Sequence, residues 1–481
     1  MTAYHPLPWQ PLITEGITGQ RRVNIFASMG SGKTTSTVEA IAQLILFGEV
    51  ERVLVIAPKR VAATTWPEAL LNFGETFGWL TMAVAVGTPD KRHAAVRAGA
   101  RITTINFDNI PWLVENYGAT WPFDMVVVDE STKLRGLRVS IRKHPKSGKR
   151  FLSGQGASRA KDLARVAHTK VKRWVNLTGT PALAGLEALW GPTWFLDAGY
   201  RLGNSFTAFS QRWFRAVPGQ DATRQVIEPL PYAEDQIKNA IADISISIDV
   251  KDWIKLDEPI YRPLRFSLPA KAQHHYDEMA RELLTEIDGT VIEALAAGAK
   301  SQKLLQIASG AAYTDTLGNW VEVHDEKIEL LKSVVEEAGG MPVLVAYHFK
   351  SDKARIQKAF GKQAVDLSDT QGMAAAKRGE GLVWQGHPQS VGHGVDGLQR
   401  FTSIICFFST NWSAENDAQI IERIGPMRQA QAGLNRPVYV YRLIARETVE
   451  EAAVARLASR VAVDVAVRES LKKYRKAVDV V

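Results

Sequence analysis

The chain has 481 residues, too many for one ordinary hydrophobic core and enough for two or three domains. Hydrophobic residues make up 46% and charged residues 23%, the balance of a globular protein, and no apolar run approaches the ~18 residues of a membrane span. A net charge of +8 fits a polyanionic partner and fits scattered surface lysines equally, while the single cysteine, Cys406, excludes an internal disulfide and a cysteine-based zinc cluster.

In chain order, MTAYHPLPWQPL lacks a charged start followed by an apolar run, so it does not read as a signal peptide, and a cytosolic location is expected. Short runs rich in Val and Ile follow: RVNIFAS, RVLVIAP, MAVAVG, RITTINF, MVVVDE and RWVNLTG. Helical stretches such as TTSTVEAIAQLILFG lie between them, the pattern of a buried parallel sheet in an α/β fold. Residues 197–300 change texture and read as a linker and helical insertions, with a helix over LPAKAQHHYDEMARELLTEI. Alternation returns in PVLVAYHF, QAVDLS, GLVWQGH, SIICFFST and PVYVYRLIA, and Cys406 reads as a buried strand residue. The tail ETVEEAAVARLASRVAVDVAVRESLKKYRKA reads as helix. The expected organisation is a first α/β lobe over 1–235 with a basic insertion at 133–173, and a linker over 236–262. A second lobe over 263–449 with a helical insertion at 268–310 and a C-terminal helix over 450–481 complete it.

The stretch ASMGSGKT joins a strand to a helix and is built for a phosphate. Its glycines let backbone N–H groups approach phosphate oxygens, and the helix that follows directs its positive dipole end at the same anion. Ser28, Met29, Gly30, Ser31, Gly32, Lys33, Thr34 and Thr35 are the ATP-binding candidates. Lys33 reaches the β and γ phosphates and the Thr34 hydroxyl binds Mg²⁺. Ala27 stands where the usual pattern opens with glycine. In MVVVDEST an apolar strand ends in two carboxylates: Asp129 as a Mg²⁺ ligand and Glu130 as the group that deprotonates the attacking water.

With these motifs the chain resembles superfamily-2 helicase-like ATPases, and within them the Swi/Snf-like branch, from about Leu7 to Val449. LPWQ is similar to the family's opening element, which implies that Gln10 reads adenine. VLVIAPKRVAATTWPEAL, ITTINFDNI, VVVDESTKLRG and NLTGTPALAGLEALW stand in the family's order. SLPAKAQHHYDEMARELL, PVLVAYHFKSDKARIQKAF and SVGHGVDGLQRFTSIICFFSTNWSAENDAQIIERIGPMRQ match the second half, with Trp412, Asn416 and Asp417 as its W-x-x-x-N-D element. The resemblance implies two RecA-like lobes and an ATP-driven motor on double-stranded DNA. It brings Gly394 and Asp396 into the ATP site, and Thr178, Gly179 and Thr180 between that site and the DNA groove. The family's final motif places two arginines three residues apart; here Arg423 and Arg428 are five apart, with Gly425 and Pro426 between, as in compact phage-encoded members. Arg428 is the first candidate for the arginine finger and Arg423 the second, with Gln419 beside them as a catalytic candidate. A phage-encoded chain would act in the host cytoplasm.

The DNA side is expected to be sequence-nonspecific. Lys133 to Arg173 is crowded with Lys and Arg, with Asp162 its only acid, and reads either as a basic loop ordered by phosphate contacts or as a solvated surface loop. Lys59, Arg60, Thr104, Asn106, Lys133, Arg135 and Lys350 follow motifs that face the groove in the family. Trp66 either stacks on a base or packs its helix onto the sheet. His274 and His275 are helix neighbours pointing to different sides, which argues against a shared metal. Strand separation, a nucleotide-gated clamp with little turnover, and service to a nuclease or a replication or recombination protein are the alternatives.

Overall fold

The computed structural model describes residues 2–143, 150–156, 158–217, 226–287, 290–293, 297–391 and 397–478. The chain divides into two units, residues 1–255 with 460–481, and residues 256–459.

The first unit is built on β1 (Arg22–Ala27), β2 (Val53–Ala57), β3 (Met82–Ala85), β4 (Ile102–Asn106), β5 (Met125–Asp129), β6 (Arg173–Thr178) and β7 (Ser245–Ile248). All pair in parallel, in the order β7-β1-β6-β5-β2-β4-β3. The runs β2, β4 and β5 are buried from end to end, because helices cover both faces of a parallel sheet. α1 (Gln10–Gly19), α2 (Lys33–Leu46) and α3 (Trp66–Asn72) are the helices that matter for the site.

Six of the seven strands coincide with the expected apolar runs. β7 does not: its SISI lies where a linker over 236–262 was expected. A four-residue edge strand with alternating Ser and Ile carries too little apolar signal to stand out. The expected basic loop also differs. Leu137–Lys143 and Arg150–Gly156 form an antiparallel hairpin, followed by a helix at Ser158–Ala167. Leu137 and Val139 are buried in the core, and the Arg138 guanidinium lies 3.5 Å over the Phe206 ring. Apolar residues between the cations, not charge, decide that conformation. Residues 144–149 at the centre of this segment lie outside the described residues.

The second unit is built on β8 (Ile260–Phe266), β9 (Val343–Ala346), β10 (Ala364–Asp366), β11 (Val383–Gly386), β12 (Ile404–Phe407) and β13 (Tyr439–Ala445). These too are parallel, in the order β8-β13-β12-β9-β11-β10. Cys406 is fully buried on β12, and burial pushes its thiol up to about 12. The insertion at 268–310 is not wholly helical. Helix Ala270–Glu282 stops at Leu283 (φ 62°), and Leu284–Ile287 pairs with Thr290–Glu293 before helix Ala297–Ser309. The Asp-Gly pair at 288–289 is the hairpin signal in the sequence. Helix Val449–Val478 starts in the second unit, and its residues from Arg460 onward belong to the first.

Candidate active site

β1, β6 and β5 are neighbours, and their C-terminal ends carry the phosphate loop, the Thr178–Thr180 turn and the Asp129–Glu130 pair. Ligands of open α/β sheets bind at this edge, where the loops after the strands converge.

Gly30 and Gly32 have φ of 78° and 79°, the left-handed region that glycine adopts without a Cβ penalty. At Gly32 a Cβ would also fall 2.0 Å from Gln10 Nε2, so the loop packs directly on the Gln10 side chain. α2 starts at Lys33 with no side-chain cap, as a helix that offers its first amides to an anion does. Lys33 Nζ donates to the carbonyls of Ala27 (2.8 Å) and Ser28 (3.1 Å) and so lies across the loop. The loop is pinned at several points. Ser28 N–H donates to the Ile248 carbonyl at the end of β7, Ser28 Oγ accepts from Val250 N–H, and Trp9 Nε1–H donates to the Ser31 carbonyl at 2.9 Å. Met29, Thr34 and Thr35 are half-buried in the same turn, and Ser31 is buried.

Gln10 is buried, and its Oε1 accepts from Leu7 N–H (2.7 Å) and the Tyr4 hydroxyl (3.1 Å). These donors fix the amide with Nε2 on the side of the phosphate loop. Burial pushes the Tyr4 phenol up to about 12, so it stays a donor.

Asp129 is buried at the end of β5. Burial raises its pKa, while the Trp66 N–H and the Lys33 ammonium act the other way. Trp66 is fully buried on α3, and its Nε1–H donates to Asp129 Oδ2 at 3.0 Å. Trp66 is therefore a packing residue with a polar task, not a surface for a base. Glu130, half-buried, holds a left-handed backbone (φ 63°, ψ 55°), a strained conformation of the kind found at functional turns. Among the described residues, the Ser31 and Ser131 hydroxyls on these two loops are buried without a hydrogen-bond partner. Mg²⁺ takes hard oxygen donors, usually one or two carboxylates beside substrate phosphates. The Thr34 hydroxyl and the Asp129 carboxylate are such a donor set and fit it.

Thr178 Oγ1 accepts from Thr180 N–H at 3.1 Å, closing the turn between them. A Cβ on Gly179 would lie 3.2 Å from Met29 N and 3.3 Å from the Ala27 carbonyl, so this turn packs on the phosphate loop itself. Beyond the turn, Ala182 N–H donates to Asp464 Oδ1 at 2.8 Å, and Arg468 pairs with both Asp464 and Asp249. The sequence holds no local signal for these C-terminal contacts, nor for Trp9 and Trp66 as donors. Their partners are 22 to 282 residues away.

Among the expected DNA contacts, Lys59 and Arg135 are exposed and Arg60 and Lys133 half-buried. Two others are corrected. Thr104 is fully buried and its hydroxyl donates to the Ala62 carbonyl at 2.7 Å; Asn106 is buried and accepts from Asn109. Both sit on β4, a strand buried from end to end, so their side chains hold the fold. At the end of the basic stretch Lys172 pairs with Asp124 and Arg173 with Glu49.

In the second unit, Lys350 is exposed at the start of helix Lys350–Phe360. Arg423 lies in the last turn of helix Ala414–Ile424, and Arg428 in the next helix, Pro426–Gln431. Gly425 and Pro426 break one helix and start the other, which explains the widened spacing of the arginines. Gln419 is buried, and Asp417 pairs with Arg442 at 2.6 Å. Gly394 and Asp396 lie outside the described residues.

The chain is 43% identical over 477 residues to protein p41 of Acyrthosiphon pisum secondary endosymbiont phage 1, covering 98% of this chain and all of that one. The chain belongs to the family of p41. No protein-family model matches it. Among solved structures it is similar to the Sulfolobus solfataricus SWI2/SNF2 ATPase core in complex with dsDNA, at 18% identity and a TM-score of 0.41, over 98% of this chain and 94% of that one. The SWI2/SNF2 ATPase core domain of the same organism follows at 18% and 0.39, over 95% and 89%. Among the described residues, no helix is long and apolar enough to cross a membrane.

Proposed function

We propose that this p41 relative is a Swi/Snf-like ATPase that hydrolyses MgATP to move along double-stranded DNA without reading sequence. The observation that carries the proposal is the convergence of three motifs on adjacent strands: the phosphate loop, the Asp129–Glu130 pair and the Thr178–Thr180 turn packed on that loop. The Lys33 ammonium and the first amides of α2 would hold the β and γ phosphates. Mg²⁺ held by Thr34 and Asp129 would neutralise charge on the phosphate oxygens. Glu130 would accept a proton from water as the water oxygen bonds to the γ-phosphorus. The bond from that phosphorus to the β–γ bridging oxygen breaks, giving ADP and phosphate.

Lys33 is a cation of the first unit at this site, and an arginine of the second unit, Arg428 first and Arg423 second, would supply another. An arginine finger is worth about 10³–10⁵ in rate, so its engagement would make turnover depend on closure. Bound ATP then favours the closed form and products release it, which is how nucleotide state drives motion. Lys59, Arg60, Arg135 and Lys350 would meet the phosphate backbone, contacts that position a duplex and specify no base.

The test is ATP hydrolysis without nucleic acid and with duplex DNA, single-stranded DNA or RNA, beside Lys33→Ala and Glu130→Gln. Stimulation by duplex DNA that both substitutions abolish is expected. Stronger stimulation by single strands would indicate strand separation instead. Slow turnover that no nucleic acid stimulates would replace the motor by a nucleotide-gated clamp.

A further inference from the structure

The segment between the exposed Lys59 and the buried Trp66 is not ordinary helix. Val61–Thr65 is a turn of π-helix, closed by Trp66 N–H donating to the Val61 carbonyl. A π-turn is rare, costs hydrogen-bond geometry, and clusters at functional sites. It is braced at two points. Ala62 is buried and its carbonyl accepts from the Thr104 hydroxyl at 2.7 Å, so β4 fixes the turn from one side. At the other end the Trp66 indole, fully buried, reaches Asp129 Oδ2 at 3.0 Å. Pro67 follows in the first turn of α3, where its missing N–H costs no helix bond. Packing alone would be met by Phe or Leu here; the indole adds one buried donor aimed at a buried carboxylate. A carboxylate in such a site presents its oxygens as its hydrogen-bond partners dictate.

Resting on the ATPase reading above, we propose that Trp66 is a positioning residue. Its N–H orients the metal-binding carboxylate of Asp129 and ties it, through the braced π-turn, to the DNA-facing pair Lys59–Arg60. Duplex phosphates that engage Lys59 and Arg60 pull on the eight-residue segment Lys59–Trp66, whose far end holds Asp129. DNA binding thus reaches the ATP site inside the first unit, independently of the arginines of the second.

The experiment uses the full chain with two replacements. One is Trp66→Phe, which keeps an aromatic ring and loses the N–H. The other exchanges Trp66 for β-(3-benzothienyl)alanine, which keeps the bicyclic shape with sulfur in place of N–H, should the phenylalanine variant fail to fold. Three quantities are read: the thermal midpoint, Mn²⁺ affinity in the presence of ADP by electron paramagnetic resonance, and the ratio of ATPase rates with and without duplex DNA. The benzothienyl variant is expected to melt as wild type does, to bind Mn²⁺ about tenfold or more weakly, and to lose most of the DNA stimulation. An unchanged Mn²⁺ affinity or an unchanged stimulation ratio in that variant overturns the inference while leaving the ATPase reading intact. Wild-type protein that neither binds Mn²⁺ with ADP nor hydrolyses ATP refutes that reading, and this inference with it.

Discussion

Lys327 and Glu450 form an ion pair of 2.6 Å in which both side chains are 0% exposed. Glu450 also accepts from Ala445 N–H at 2.9 Å, so one carboxylate locks β13 and the start of helix Val449–Val478 to helix Glu326–Glu337. Lys327→Met keeps the apolar stem and removes the charge, leaving the carboxylate buried with the Ala445 N–H as its donor. Breaking a buried pair from one side costs about 3–5 kcal/mol. At about 1.4 kcal/mol per tenfold, opening of the second unit becomes more frequent by about two to three and a half orders of magnitude. Hydrogen exchange of the amides in Val343–Ala346 and Tyr439–Ala445 reads this directly, without assuming that a chain of two units unfolds in one step. Lys327→Met with Glu450→Gln should recover most of the loss, since the amide still accepts from Ala445 N–H and no charge remains buried. An increase in exchange below tenfold in the single variant would refute the reasoning, because it would mean that water reaches the carboxylate.

Lys59→Ala, Arg135→Ala and Lys350→Ala should each weaken duplex binding and reduce the salt slope by about 0.9, whereas Thr104→Val should leave the slope alone and destabilise the first unit by about 1–3 kcal/mol; salt titrations and melting check both. His324 is buried beside Arg355, and burial first, then that guanidinium, hold its pKa at about 4, below the ordinary 6.5. As pH falls from about 6.5 towards 4 the unfolded chain takes up a proton that the fold refuses. Stability should fall by up to about 1.4 kcal/mol per pH unit, less in His324→Gln, by denaturant titration at pH 7 and pH 5. The Cys406 thiol, buried and pushed up to about 12, should react with a thiol reagent only as fast as the second unit opens, so Lys327→Met should speed its modification.

The sequence by itself determined the α/β class, six strands of the first sheet and five of the second. It also placed the phosphate loop and the carboxylate pair at strand ends, because fully buried parallel strands and glycine-rich turns leave strong local patterns. It could not show β7 or β8: the first is too short, and β8 is an edge strand whose middle residues are exposed. It misjudged Thr104 and Asn106, which the family resemblance set facing the groove, while the strand between β2 and β3 buries them. Only the tertiary structure decided that Trp66 serves Asp129, that Gly179 abuts the phosphate loop and that Asp464 holds Ala182. Each is a contact between residues far apart in sequence, and local pattern carries no information about which buried donor meets which distant acceptor until strand order and register are set.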